Sequence, residues 1–401
     1  MNPFDPATRR AIGFLNWAHA IDHYVLLIFP TVVISLEAFY SRPYGELIAL
    51  GAPCFVAFGV FSLPAGWLAD RWSRRNMMVV FYAGCGLSLI AASLAPTAFM
   101  LGAALFLLGM FAAIYHPVGM AMLIEASQAR GRTLAFNGVC GNLGAALAAG
   151  ITAVLAYWLG WRAAFLAPAA FCLVTAPLFY WTVPDDRKHT ARRESKPGVR
   201  LTPALTYAMF GMFILIALTA GLVFNAVTVA LPKIVEERLG ADVPLVLVGG
   251  LATAVFMCGA LAQLAVGRLV EWIPPHILLT AIVMVGLVGT VWAAMTTGPL
   301  LLAALALVMV AIYGQVTVND MVIARYTADA WRGRVYAVRY FLLFLSAGVA
   351  VEMISRFHQQ GGFSLVLMVT AAVTGLFLIA AIGVAVIGSL ATGRVLPQPA
   401  E

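Results

Sequence analysis

The chain alternates long apolar stretches with short polar connections, and the length of those stretches decides what it can fold into. Apolar windows fall at approximately 11–36, 46–69, 77–94, 97–122, 133–157, 162–182, 203–231, 244–267, 276–297, 299–323, 334–357 and 363–390. They are about 20 residues or longer, the length a helix needs to cross ~30 Å of hydrocarbon. Strands of a membrane barrel are only ~10 residues long and alternate in polarity. Within hydrocarbon each backbone N–H and C=O must be bonded inside its own segment, which leaves helices as the spanning element. At 63% hydrophobic and 10% charged, with a mean hydropathy of +0.96, the chain exposes too much apolar surface for a soluble domain. We expect an all-α integral membrane protein with twelve transmembrane helices.

Basic residues sort to one side of these spans. One face collects Arg9, Arg10, Arg71, Arg74, Arg75, Arg130, Arg132, the basic residues between 184 and 202, Arg268, Arg325, Arg332, Arg334 and Arg394. The other holds Arg42, Arg162, Lys233, Arg238 and Arg356. The rich face is cytoplasmic by the positive-inside rule, which puts both termini and the central loop inside a bacterial-type inner (plasma) membrane. The net charge of +7 thereby reports orientation, and no nucleic-acid partner is expected. Pro184–Thr202 reads as a solvated cytoplasmic linker between residues 1–183 and 203–401. Arg9 and Arg10 precede the first span without a small-residue cleavage site, so that span reads as a retained helix. Cys54, Cys85, Cys140, Cys172 and Cys258 lie inside apolar runs without ligand spacing and read as reduced core residues.

The chain also repeats itself. Gly66–Arg75 reads GWLADRWSRR, and a reduced copy, Gly267–Trp272 (GRLVEW), follows 201 residues later. Ala113-Ile114-Tyr115 recurs as Ala311-Ile312-Tyr313, Arg130-Gly131-Arg132 as Arg332-Gly333-Arg334, and Phe29-Pro30 as Leu231-Pro232. Offsets of 198 to 202 describe a duplicated six-helix unit. Parallel repeats of this kind place a substrate site near the bilayer midplane, between the halves.

These motifs resemble the major facilitator superfamily over essentially the whole chain. Its loop signature G-x-L-x-D-R-x-G-R-[RK] is matched by Gly66, Leu68, Asp70, Arg71, Arg74 and Arg75, with Ser73 in place of the signature's second glycine. Gly160-Trp161-Arg162 and the run Gly138/Gly141/Gly144/Gly150 are similar to it as well. His19, Asp22 and Pro30, with Tyr115-His116-Pro117-Val118-Gly119, resemble the fosmidomycin-resistance type of efflux transporter. The R-x-x-x-G motif of many proton-driven drug antiporters is missing, since Phe106–Met110 reads FLLGM. The resemblance implies two pseudo-symmetric six-helix bundles that work by alternating access. It further implies a cytoplasmic latch in which Asp70 caps a helix of the other half and pairs with basic residues in the outward-open state. Gly66, Asp70, Arg71, Arg74 and Arg75 belong to that latch. Glu271 keeps the carboxylate in the second copy while Trp272 replaces the arginine, so the latch is expected to be stronger in the first half.

Intramembrane polar groups supply the candidate chemistry, because an ionisable side chain in hydrocarbon costs several kcal/mol unless paired or hydrated. Asn16, His19, Asp22 and His23 share one broad helical face. A carboxylate beside an imidazole can trade protons near neutral pH, and Asp22 with His19 is the expected proton-coupling pair. A purely structural hydrogen bond from Asp22 to a neighbouring helix is the competing reading. His116 is expected at a similar depth, with Pro117 weakening the helix behind it. Asn16, His23, Tyr24, Tyr115, His116, Asn225, Gln263, Tyr313, Gln315 and Arg339 are the expected substrate contacts. Arg339 is available either to an anionic substrate or to Asp320. Asp320 is assigned to gating, as are Glu352 and Arg356, which are spaced for a salt bridge near the outer end. The small residues of span five read as helix packing and as a sliding surface between the halves.

The function expected is secondary active transport of a small solute, anionic or amphiphilic, proton-coupled and outward, by a monomer in the lipid bilayer. Proton-coupled uptake of a siderophore or organic anion is the alternative. No Gly-x-x-x-x-Gly-Lys-[Ser/Thr] loop exists, so ATP is not the direct energy source and no cofactor is expected. A membrane-embedded metal-dependent enzyme is the competing class. It lacks H-E-x-x-H and any paired-Asp motif, and only His19 and His23 stand at ligand spacing. No metal site is assigned.

Overall fold

The computed structural model describes residues 5–127, 131–185, 202–240, 243–327 and 329–392. Most of the central linker, together with Arg130 and Arg394, lies outside the described residues, as do the side chains of Arg332 and Arg334. Regular structure is entirely helical there. In chain order the elements are α1 (Pro6–Tyr40), α2 (Tyr44–Ala49), α3 (Ala52–Arg71), α4 (Arg74–Ser93), α5 (Ala98–Ala112), a π-helical turn (Tyr115–Gly119), α6 (Met120–Ala126), α7 (Gly131–Leu159), α8 (Trp161–Thr182), α9 (Pro203–Leu239), α10 (Leu245–Leu269), α11 (Pro275–Met295), α12 (Leu300–Tyr326) and α13 (Asp329–Thr392).

Several helix starts are set by side-chain caps that satisfy otherwise orphaned N–H groups. The Asp5 carboxylate accepts from the N–H groups of Ala7 and Thr8 at 2.8 and 3.0 Å. Those bonds, that from Thr8 first, hold its carboxyl below the ordinary carboxylate value. Ser73, Thr97 and Thr202 cap α4, α5 and α9 in the same way.

Eleven helical stretches among the described residues are long and apolar enough to cross a membrane. The windows expected at 334–357 and 363–390 fall within the single element α13, whose apolar part, Phe341–Leu390, is 50 residues long. At 1.5 Å per residue that is about 75 Å, more than twice the hydrocarbon thickness. The element is broken at Gly361 and at Gly362, where φ is 60° and ψ is −163°, a backbone region open essentially to glycine alone. A sharp glycine bend therefore replaces the loop that the sequence suggested. The second window is divided between α2 and α3, and the seventh runs on through Pro232 to Leu239.

Helices in lipid gain little from hydrophobic burial against one another, so close approach through small residues holds them. A Cβ on Gly144 of α7 would stand 2.0 Å from the carbonyl oxygen of Ala20 in α1. Farther along the same helix, one on Gly150 would meet Thr253 of α10 at 2.8 Å. The small-residue stripe thus packs its first part against α1 and its second part against α10. Among the cysteines, Cys54, Cys85 and Cys172 are buried as expected, whereas Cys140 is half-buried and Cys258 is exposed. An apolar run in a membrane helix does not say which face meets lipid, and that is why the expectation fails for Cys258.

The α1–α7 contact makes a direct prediction. Gly144→Ala should lower the thermal unfolding midpoint by the equivalent of about 1–3 kcal/mol of overpacking. Gly138→Ala, with nothing within 4 Å of the added carbon, should leave the midpoint unchanged or raise it slightly.

Candidate functional site

Asp22 lies at the middle of the 35-residue α1 and has no solvent exposure. Neither of its carboxylate oxygens accepts a hydrogen bond from the described residues. The nearest cation-capable group is His116, whose Nε2 stands 3.4 Å from Oδ2. His116 reaches this place through the π-helical turn. Pro117 has no N–H to give to the α-helical ladder, and the chain widens so that the Met120 N–H bonds the Tyr115 carbonyl, five residues back. The weakening expected at Pro117 is therefore a built turn that carries Tyr115 and His116.

His19 and His23, one turn apart on α1, complete the cluster. Ring centroids are 4.9 Å apart for His19–His23, 5.6 Å for His19–His116 and 5.8 Å for His23–His116. Tyr115 stacks on His19 at 4.8 Å. The His19 ring is oriented by Asn137 of α7, whose backbone and side-chain oxygens lie 2.9 and 2.8 Å from Nδ1. Both partners are acceptors, so Nδ1 carries the proton and donates. The Asn137 amide nitrogen in turn donates to Asn16 Oδ1 at 3.0 Å and to the Leu15 carbonyl at 3.3 Å. Gly141 leaves room for the ring, since a Cβ there would stand 2.6 Å from His19 Nε2. On the side of α13, Phe344 packs on Phe58 and His116 with centroids 4.7 and 5.4 Å apart.

Of the expected site residues, Asn16, His19, Asp22, His23, Tyr115 and His116 converge here, and Tyr24 is buried farther along α1. The others are elsewhere. Gln263 of α10 accepts a hydrogen bond from Asn142 of α7 and donates to Thr317 of α12 at 3.2 Å. Gln315 accepts from Asn319, and Arg339 is ion-paired to Asp320. Asn225 donates to its own helix at the Gly221 carbonyl, 2.8 Å away. Tyr313 is buried beside Phe224.

The signature loop is knit into α1–α8. Arg74 bridges Asp70 at 2.9 Å and Glu125 at 3.3 Å. Arg75 approaches Asp185 at 3.9 Å and covers the Tyr180 ring, and Arg71 covers Trp67. Asp70 thus pairs within its own set of helices. Gly66 lies against the π-helical turn, with a Cβ there placed 3.2 Å from Pro117 Cβ. Glu271 is exposed and makes no ion pair among the described residues.

At the opposite end, a clasp joins α1 to α9. Lys233, 5% exposed, reaches Glu37 at 2.5 Å, Glu236 at 3.0 Å and Glu237 at 3.7 Å. His358 of α13 bonds Glu237 at 3.0 Å and packs on Tyr44 at 4.9 Å. Glu352 and Arg356 pair at 2.5 Å as spaced, within one helix and with the Arg356 side chain 71% exposed.

A family model described as Major Facilitator Superfamily matches residues 13–351. The chain belongs to the Major Facilitator Superfamily. A gallate transporter of Pseudomonas putida is 26% identical over 211 residues, which cover 49% of this chain and 46% of that protein. The match thus spans about half the length of that curated relative. A bacterial homologue of the human lysosomal transporter Spinster, solved in inward-facing unoccupied and occupied conformations, superposes at TM-scores of 0.77 and 0.78. Those matches cover 99% of this chain and 100% of that one, at 13 and 14% identity, and they show a shared fold. Family and fold are those of secondary transporters, not of enzymes.

Sequence reasoning missed Asn137 and the Lys233 clasp. Asn137 stands four residues before Gly141 on the small-residue face of α7, a spacing that marks it as facing α1. Lys233 was placed among outer loop residues because the seventh window stops at 231. Removing one partner of a buried ion pair costs roughly 3–5 kcal/mol. Lys233→Ala leaves three glutamates facing one another and should loosen this end. A cysteine at Ser355, buried one turn before Gln359 on α13, in a background with Cys258 replaced by serine, should then react faster with an impermeant maleimide than in the Lys233 parent. An unchanged rate would show that the clasp does not hold this end shut.

Proposed function

We propose that this chain is a proton-coupled transporter of a small organic anion, with two six-helix bundles, residues 1–183 and 203–401, rocking about a site near the bilayer midplane. The Gly361–Gly362 bend supports twelve crossings, since it divides α13 into two arms of membrane-spanning length. The basic-residue bias supports cytoplasmic termini in an inner membrane. The Lys233 clasp is then extracellular and closed, while Asp70 is engaged within its own bundle, which supports an inward-facing state.

Asp22 carries the proposal. A carboxylate with no exposure and no satisfied hydrogen bond among the described residues, 3.4 Å from one imidazole and close to two more, has the groups needed to take up and pass on a proton. His116 is its nearest partner, so we place the coupling pair at Asp22 and His116 and give His19 a supporting role. An anionic cargo is supported by the name of the Pseudomonas putida relative, gallate being an aromatic carboxylate. The Arg339–Asp320 pair sits at the signature-loop side of α12 and α13, where we assign it to gating. Efflux is supported by the likeness of spans one and four to the fosmidomycin-resistance type. Uptake of an organic anion is the second reading, favoured by the gallate relative.

Flux of gallate and related aromatic carboxylates into sealed proteoliposomes, with and without an imposed pH gradient, tests this. The gradient should drive accumulation, and its reversal should reverse the flux. Asp22→Asn should abolish gradient-driven flux, a loss of tenfold or more, while retaining cargo binding in a thermal-shift assay. Flux indifferent to the gradient in both proteins would refute coupling at this site.

A further inference from the structure

We propose that His19, His23 and His116 form a binding site for one divalent first-row transition metal ion, with Asp22 supplying the balancing negative charge. The inference rests on the same cluster as the coupling reading and adds a second ligand to it.

The donor set comes first. One ring nitrogen from each of the three histidines lies within 4.8 Å of the other two. A four-coordinate metal with ~2.0–2.1 Å bonds holds its nitrogen ligands about 3.3 Å apart, so the rings need to draw in by about 1.5 Å. His23 and His116 are half-buried and make no protein hydrogen bond among the described residues, apart from the approach of His116 to Asp22, so they are the rings able to move. Imidazole nitrogens suit zinc, copper, iron and nickel and are poor partners for magnesium or calcium.

Orientation is the second observation. Metal-ligating histidines characteristically give their other ring N–H to a carbonyl or carboxylate, which fixes the tautomer. His19 does this through Nδ1 to both oxygens of Asn137, which directs the lone pair of Nε2 away from that network. Gly141 keeps the volume beside Nε2 clear of side-chain atoms.

Charge is the third. Three neutral imidazoles and a divalent ion carry +2 into hydrocarbon, a large cost without an anion nearby. Asp22 is buried, accepts no hydrogen bond among the described residues and lies 3.4 Å from the Nε2 of His116. It offsets one charge, as a fourth ligand or by accepting from the His116 ring beside it. An anionic ligand entering beside Phe344 would offset the other. A bound metal occupies the lone pairs that a proton would use, so metal and proton compete here, and metal inhibits gradient-driven flux.

The test is binding of the metal alone to full-length purified protein, with no solute and no pH gradient. Cobalt(II) should bind at one equivalent per chain with the intense visible bands of a four-coordinate nitrogen site, and zinc(II) should displace it. His23→Ala and His116→Ala should each weaken binding at least tenfold. Asn137→Ala, which frees the His19 ring, should weaken it about 10- to 100-fold. Variants are scored only where gel filtration and thermal unfolding match the parent, and His23→Gln replaces His23→Ala if that protein fails to fold. Absence of stoichiometric cobalt, or binding unaltered by the His23 and His116 substitutions, overturns the proposal. Flux measured separately in chelator keeps the two readings apart: flux without metal binding leaves only transport standing, and metal binding without flux leaves only the metal site.

Discussion

A carboxylate at the middle of a membrane helix, without exposure and with no hydrogen bond satisfied among the described residues, is the constraint on which the rest of the structure depends. Such a group costs several kcal/mol in hydrocarbon unless a proton or a positive partner accompanies it. The fold brings the partner to it. Pro117 cannot complete the helical ladder, the π-helical turn takes up the extra residue, and His116 is carried to 3.4 Å from Asp22. The same turn rests on Gly66, the first residue of the signature loop. A change in the Asp22–His116 pair therefore has a short physical route, through Pro117 and Gly66, to the end of α3 that bears Asp70, which pairs with Arg74 at the start of α4. That route is one of packing contiguity, and the two-state element that it would bias is the rocking of one set of helices on the other.

The two ends of the molecule are held by different chemistry. At the signature-loop end the charged residues of the loop itself pair within their own set of helices, with Arg74 between Asp70 and Glu125. At the other end Lys233 crosses from α9 to Glu37 of α1 and lies nearly buried among three carboxylates. Midway, Asn142 and Gln263 join α7 to α10, and Phe344 seats on Phe58 and His116. A rocking motion that opens the Lys233 end has to break a buried ion pair. One at the signature-loop end has only to exchange partly exposed pairs, each worth about 0–1 kcal/mol.

The sequence made the helices legible because ~20-residue apolar runs admit one solution in lipid, and it made the signature loop legible because six of its residues stand in order. Asp22 and its histidines were legible as well, since charge inside an apolar run has few innocent explanations. Partners were less so. Whether Asp22 meets His19 on its own helix or His116 on another depends on the π-helical turn, and no helical spacing foretells it. Asn137 was hidden inside a stripe read as packing. Lys233 looked like a loop residue because hydropathy ends at the charge, whereas the helix continues through Pro232 and buries it. The Gly361–Gly362 bend has the same character: the gap in hydropathy was visible, but not that the backbone would cross it within one element.

The central claim is that the state of Asp22 decides which end of the molecule is open. Spin labels at the exposed positions Trp72 and Trp272, beyond the ends of α3 and α10, report the separation at the signature-loop end by electron–electron double resonance. In protein carrying only those two cysteines, the distance distribution should move as pH is stepped. In Asp22→Asn it should stay at one distribution over the same range. A variant whose distances follow pH as the parent's do would contradict the account.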